Sequence, residues 1–263
     1  MTLSHRAELR SARRLVVKVG SSSISGDRSG QLPGLVDALA HIHEAGTQVI
    51  LVSSGAIATA LSYLTLSLSA DDLATAQAAA AIGQNLLIRR YQDSLDRYGI
   101  VAGQVLLTAG DLDNPIPRNN AQRAMERLLE LRTLPIVNEN DTVATHEIRF
   151  GDNDRLAALV AGLLSADALI LLSDVDALYT KPPSHPGASR ITRVPWGDPL
   201  AGIEVSAKGT SAVGTGGAVT KVSAARHAAD AGIAVLLTST PNAAHALAGE
   251  DVGTWFEPAP LSV

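Results

Sequence analysis

Short apolar runs of β character recur along the chain, separated by longer Ala- and Leu-rich stretches of helical character, and this alternation constrains the fold more than any other feature. The runs lie at 15–20 (LVVKVG), 48–54 (QVILVSS), 101–107 (VAGQVLL), 134–140 (LPIVNEN), 168–174 (ALILLSD) and 233–239 (IAVLLTS). Several are apolar at consecutive positions, as strands covered on both faces are. Helical stretches fall at 32–45, 71–98, 119–131, 154–164 and 220–231, with a weaker one at 242–248 after Pro241. Such an order predicts right-handed βαβ units on a mainly parallel sheet. Gly46, Gly99 and Gly232 follow three of the helical stretches, at the position where a left-handed residue ends a helix. The stretches 181–190 and 206–217 read as irregular but not as linkers, because regular patterns resume directly after each. At 263 residues, one large α/β domain is favoured over two small ones.

A content of 46% hydrophobic and 18% charged residues suits a globular chain with a large buried sheet. With 21 Lys and Arg against 26 Asp and Glu, there is no basic footprint for nucleic acid or for an anionic membrane surface. The absence of cysteine excludes disulfides, thiol nucleophiles and cysteine-ligated metals together. The polar start, MTLSHRAELRSARR, leads into a short apolar run containing Lys18, which is no secretory core. The stretch 156–172 is broken by Asp167 and falls short of the roughly 20 apolar residues of a membrane span. A cytoplasmic location is the expectation.

In open parallel sheets ligands bind beyond the carboxyl ends of the strands. Those ends here hold Lys18, Gly20 and Ser21 to Ser23; Ser53, Ser54 and Gly55; Asn138, Glu139, Asn140 and Asp141; and Ser173, Asp174 and Asp176. The segment GTGGAVTK (214–221) leads into a helix, and glycines there let backbone N–H groups approach an anion. Neither GxxxxGK[ST] nor GxGxxG occurs, which disfavours a P-loop and an ordinary dinucleotide site. Lys18 in an apolar strand either snorkels past the sheet end, pairs with a carboxylate, or meets a bound anion. Lys221 near a helix start is unfavourable unless an anion is present. Asp154, after the turn at Gly151 to Asn153, reads either as a helix N-cap or as part of a polar site with the nearby NEND segment. No metal-ligand spacing such as HExxH occurs, and His41 and His43 are spaced i, i+2, so they do not share a helix face. Ser53 and Ser54 lack a G-x-S-x-G elbow, which leaves them as a turn or as ligand-binding hydroxyls.

Taken in order, KVGSSSI (18–24), LVSSGAIA (51–58), AAIGQNLL (80–87), GQVLLT (103–108), IVNENDTVA (136–144), FGDNDRLAALVA (150–161), LLSDVDALYT (171–180) and GTGGAVTK (214–221) resemble the motifs of the glutamate 5-kinases. These belong to the amino acid kinase superfamily. The resemblance runs from about residue 15 to 256, and the single glycine followed by serines after Lys18 separates it from relatives with a double glycine. It implies a three-layer αβα sandwich around a mainly parallel, about eight-stranded sheet, with a kinase domain over 15–258 after an N-terminal extension and no C-terminal PUA domain. The implied reaction is ATP-dependent phosphorylation of the L-glutamate γ-carboxylate, opening proline biosynthesis. Other superfamily kinases, acting on N-acetylglutamate, aspartate, carbamate or UMP, and a non-catalytic binding protein on the same fold are the alternatives. Carried over by position, Lys18, Lys221 and Asp154 are the implied catalytic set, with Asp154 ordering the lysines. Lys18, Ser173, Asp174 and the run Thr215, Gly216, Gly217, Ala218, Val219, Thr220 and Lys221 are the implied ATP contacts. Ser54, Gly55, Asp141 and Asn153 are the implied glutamate contacts, with Mg²⁺ carried by the nucleotide phosphates. L-proline as feedback inhibitor and a homo-oligomer, dimer or tetramer, complete what the resemblance implies.

Overall fold

A computed structural model describes residues 2–65, 72–143, 153–181, 185–200 and 218–260. In chain order the strands are β1 (Arg14–Val19), β2 (Gln48–Ser53), β3 (Ala102–Leu107), β4 (Leu134–Glu139), β5 (Ala168–Ser173), β6 (Leu178–Tyr179), β7 (Arg190–Ile191), β8 (Arg193–Val194), β9 (Ala234–Ser239) and β10 (Thr254–Phe256). The α-helices are α1 (Ser21–Ile24), α2 (Gln31–Glu44), α3 (Ala56–Leu64), α4 (Leu73–Leu95), α5 (Ala109–Asp113), α6 (Pro115–Glu130), α7 (Asn153–Leu163), α8 (Ala218–Asp230) and α9 (Ala243–Leu247). Eight strands form one sheet in the order β3-β4-β2-β1-β5-β9-β10-β8, and β6 pairs with β7 apart from it. From β3 to β9 every neighbouring pair is parallel, while β10 runs antiparallel to β9.

Alternation along β1 sorts its side chains between two cores. Leu15, Val17 and Val19 face a layer that includes α2, α4 and α9. Val16 faces the opposite layer, built by α6, α7 and α8. Lys18 follows Val16 on that second side by the period-two rule, near the carboxyl end of the strand. The predicted αβα sandwich is therefore the observed one. Among the described residues, no helix is long and apolar enough to cross a membrane.

All six predicted strands are present within a residue or two of the expected bounds. Gly46, Gly99 and Gly232 take φ values of 108°, 63° and 79°, in the left-handed region predicted for helix ends. Three helices were not predicted: α1, a single turn in the serine run, and α3 and α5, which are short. Helix α6 begins four residues before its predicted start. Pro115 occupies its first position, where a missing N–H costs nothing, and Asn114 caps it by accepting from the Ile116 N–H at 3.1 Å. Residue 190, read as irregular, begins β7, which pairs with β6, whereas the run 206–217 lies outside the described residues.

Gly83 sets the closest helix crossing near the sheet's carboxyl edge. A β-carbon there would lie 1.8 Å from the Ala56 carbonyl oxygen and 2.5 Å from its carbon, so α4 meets the first turn of α3 backbone to backbone. No side chain can bend away from that clash. Gly83→Ala is expected to destabilise the fold by about 1–3 kcal/mol or more, read as a fall in the urea unfolding midpoint at unchanged slope.

Candidate active site

The chain leaves β1 on one side for β2, β4 and β3 and on the other for β5 and β9, so the end of β1 is the topological switch point of the sheet. Lys18 sits there, 2% exposed, and Gly20, two residues on, lies beside its ammonium group: an added β-carbon would lie 3.8 Å from Nζ. The next loop is drawn against it. The Ser54 N–H donates to the Val19 carbonyl at 3.2 Å, and Gly55, at φ 99°, approaches Ser21 so closely that a β-carbon would sit 3.3 Å from its Cα. Gly55 thus satisfies two demands at once, a left-handed backbone and contact between two strand-end loops.

Opposite β1, the first turn of α7 presents Asp154, which is fully buried. Its Oδ1 lies 2.5 Å from Lys18 Nζ and its Oδ2 3.1 Å from Lys221 Nζ. Lys221 is the fourth residue of α8 and is 8% exposed. One carboxylate therefore joins two ammonium groups that come from different layers and distant parts of the chain. Removing such a partner from a buried cluster is strongly destabilising, and the arrangement holds both cations at the sheet edge. Helix α7 begins at Asn153, so Asp154 lies inside the helix, and the N-cap reading gives way to the ion-pair one.

Beyond β2 and β4, beside the carboxylates of Glu139 and Asp141, the site is built around a chain of side-chain amides. Asn153 Nδ2 donates to the Ser53 carbonyl and to Asn138 Oδ1, both at 2.6 Å. Asn138 Nδ2 donates to Gln84 Oε1 at 3.2 Å, and Gln84 Nε2 to the Glu139 carbonyl at 3.3 Å. Ser53 Oγ lies 2.9 Å from the Tyr91 hydroxyl and 3.1 Å from its acceptor, the Ser54 carbonyl. Complete burial pushes the Tyr91 phenol far above its ordinary range, so it stays a neutral hydroxyl. Asp141 follows in the turn after β4, where Val143 N–H bonds the Asn140 carbonyl at 3.2 Å.

On the other side of β1, Ser173 closes β5 and its hydroxyl donates to Asp174 Oδ1 at 3.0 Å. Ala218, Val219 and Thr220 form the first turn of α8, ahead of Lys221. Thr215, Gly216 and Gly217, predicted as nucleotide contacts, lie outside the described residues, as do Gly151 and Asp152. The described members of the predicted set thus share one sheet edge, with Lys18 between two flanks. Gln84 and Tyr91 were missed as parts of this edge. Their signal was available: they stand one heptad apart among the buried Ala76, Ala80, Gly83, Leu87 and Leu95 of α4, two polar positions in an otherwise apolar stripe. Among the described residues, no three His, Cys, Asp or Glu side chains gather into a metal-binding group.

A parallel sheet with paired lysines at its switch point defines a class of phosphate-handling enzyme, and the sequence comparisons agree on which. Residues 13–239 match the model of the Amino acid kinase family, and the chain belongs to that family. Two relatives called glutamate 5-kinase are each 70% identical to it. That of Leifsonia xyli subsp. xyli matches over 259 residues, 98% of this chain and 96% of the relative. That of Clavibacter michiganensis subsp. michiganensis matches over 258 residues, 98% of this chain and 99% of the relative. In fold, the chain is similar to a carbamate kinase from Giardia lamblia solved with AMP-PNP, at a TM-score of 0.68 and 16% identity, covering 95% of this chain and 99% of that one.

Replacing the shared carboxylate separates ordering from binding. Asp154→Asn keeps the shape but loses the charge between the lysines. It is expected to lower kcat by about 10²-fold while changing the KM for ATP much less, measured by steady-state kinetics with each substrate varied in turn.

Proposed function

We propose that the chain is a glutamate 5-kinase, transferring the γ-phosphoryl group of ATP to the side-chain carboxylate of L-glutamate. The observation that carries this reading is the meeting of Lys18 and Lys221 on Asp154 at the sheet's switch point. The 70% identity to glutamate 5-kinases over nearly the whole chain supports the choice of acceptor. The single kinase domain is taken to run over 15–258.

The chemistry asks for charge compensation more than for proton transfer. A glutamate side chain with a pKa of about 4.3 is already ionised at neutral pH, so its oxygen can attack without a general base. A bond forms from that oxygen to the γ-phosphorus as the bond to the bridging oxygen breaks, giving glutamyl 5-phosphate and ADP. Two negative groups must approach, and one pair of unit charges at ~4 Å costs about 4 kcal/mol at an effective dielectric of ~20. Lys18 and Lys221 offset this repulsion, already oriented by Asp154 before the phosphate arrives. Mg²⁺ bound with the nucleotide supplies further positive charge at the phosphates, and the oxygen donors of Ser173 and Asp174 at the end of β5 suit such a hard cation.

The nucleotide is assigned to the flank of β5 and the first turn of α8, through Ser173, Asp174 and Ala218 to Lys221, with Thr215 to Gly217 continuing it. Glutamate is assigned to the other flank, through Ser54, Gly55, Asp141 and Asn153. This division places the transferred group over Lys18, between the two. Family likeness adds L-proline as an inhibitor and a homo-oligomer, which inhibitor titration and sedimentation test directly.

Trapping the acyl phosphate with hydroxylamine decides the acceptor: product is expected with glutamate and ATP, and none with N-acetylglutamate or aspartate. Product with another acid alone overturns the assignment. Lys18→Ala and Lys221→Ala are each expected to lower kcat by about 10²-fold or more, and near-normal turnover in both removes the roles given to them. Asp141→Ala is expected to raise the KM for glutamate with kcat less affected; the reverse split exchanges its role with that of Asp154.

A further inference from the structure

We infer that Gln84 is a positioning residue for the acceptor site: acting through Asn138, it fixes the side-chain amide of Asn153 so that the oxygen is presented to the substrate. The site then accepts an acid carrying an α-ammonium group and rejects one carrying only hydrogen-bond acceptors there. This rests on the reading of Asn153 as a glutamate contact.

The argument is one of polarity. A side-chain amide has an oxygen end and a nitrogen end of nearly equal shape, and only its partners decide which end points where. Three backbone groups of fixed polarity anchor the chain of amides. The Glu139 carbonyl can only accept, so Gln84 turns Nε2 toward it at 3.3 Å. Gln84 Oε1 then faces Asn138 Nδ2 at 3.2 Å and also accepts from Gln104 Nε2 at 3.4 Å. Asn138 Oδ1 therefore points the other way, accepting from the Glu139 N–H at 2.9 Å and from Asn153 Nδ2 at 2.6 Å. The second hydrogen of Asn153 Nδ2 goes to the Ser53 carbonyl at 2.6 Å. Both hydrogens of the Asn153 amide are thus committed, and Oδ1 is its remaining hydrogen-bonding atom. Turning any one member over would set nitrogen against nitrogen and oxygen against oxygen at its two ends. Gln84, Asn138 and Asn153 are 7%, 4% and 7% exposed, so little water is at hand to repair the mismatch.

An oxygen presented in this way matches the ammonium group of an α-amino acid, which only donates. It repels the carbonyl of 2-oxoglutarate, which has the same two carboxylates but only accepts at that position. A site that hydrogen-bonds one polarity rejects the other because a buried polar group is then left against a like partner.

Two variants separate polarity from mere support. Gln84→Met keeps the bulk but removes both hydrogen-bonding ends, whereas Gln84→Glu still places an oxygen toward Asn138 in either protonation state. The readouts are the KM for glutamate and the inhibition constant of 2-oxoglutarate in the acyl phosphate assay, with kcat and the thermal unfolding midpoint measured alongside. In Gln84→Met the preference for glutamate over 2-oxoglutarate is expected to shrink by about tenfold or more, with the KM for glutamate rising by a larger factor than kcat falls. In Gln84→Glu the preference is expected to persist, although a buried carboxyl group lowers the midpoint. Retention of the wild-type preference by Gln84→Met overturns the inference, as does loss of it in both variants in step with stability. If Gln84→Met does not fold, Gln84→Glu decides alone, loss of preference counting against the relay and retention for it. Failure of the wild type to phosphorylate glutamate at all would instead remove the acceptor assignment on which the inference rests.

Discussion

The shared carboxylate of Asp154 is the interaction around which the site is arranged. It brings together a strand residue, Lys18, and a helix residue, Lys221, across the interface of the sheet with α7 and α8. Burying Lys18 at 2% exposure would be prohibitive without such a partner, because a desolvated ammonium group has to be paired or discharged. The parallel sheet is what makes the pairing possible. With β2 on one side of β1 and β5 on the other, the end of β1 lies under neither crossover, and a long cationic side chain there reaches α7 and α8 without breaking the sheet.

Close backbone approach is the second requirement. Gly55 brings the β2 end against the β1 end, and Gly83 lets α4 press onto the start of α3, which follows Gly55 directly. Helix α4 in turn carries Gln84 and Tyr91, whose polar ends reach Asn138 and Ser53 at the sheet edge. Packing of small residues and orientation of amides are therefore one structural problem. A shift of α4 outward to make room for a larger residue at position 83 also withdraws Gln84 from Glu139.

How much of this could be read from the sequence depended on whether the signal was local. The main strands were legible because runs such as ALILL in β5 and AVLL in β9 are apolar at consecutive positions, as strands covered on both faces are. Helix α3 was not, because it is nine residues long, directly after a Ser-Gly turn, and its close crossing by α4 at Gly83 is invisible in its own segment. The strands β6, β7, β8 and β10, of two or three residues, are too short to show any period, and β8 finds its partner β10 far along the chain. In the site, Lys18 stood out because charge in an apolar strand demands an explanation, and Asn153 and Asp154 because they share the polar turn GDND, close to NEND. Gln84 did not, since a neutral amide is at home almost anywhere and its meaning lies entirely in which groups it faces.

That contrast also explains why the two flanks of β1 are built differently. A lysine cannot present the wrong polarity: whatever rotamer it adopts, its end is a cation and a donor, so the phosphoryl side needs only proximity, which one carboxylate provides. An amide can be reversed with almost no change in shape, so a site made of amides is only as selective as the network that orients them. The acceptor side accordingly extends inward through Asn138 and Gln84 until it ends on the backbone of β4, and is tied on its other side to the backbone of β2 at Ser53. Those main-chain groups are themselves fixed by the sheet, whose hydrogen bonds leave no freedom to exchange donor for acceptor. Selectivity for a small substrate is in this way referred back to the most rigid element of the fold.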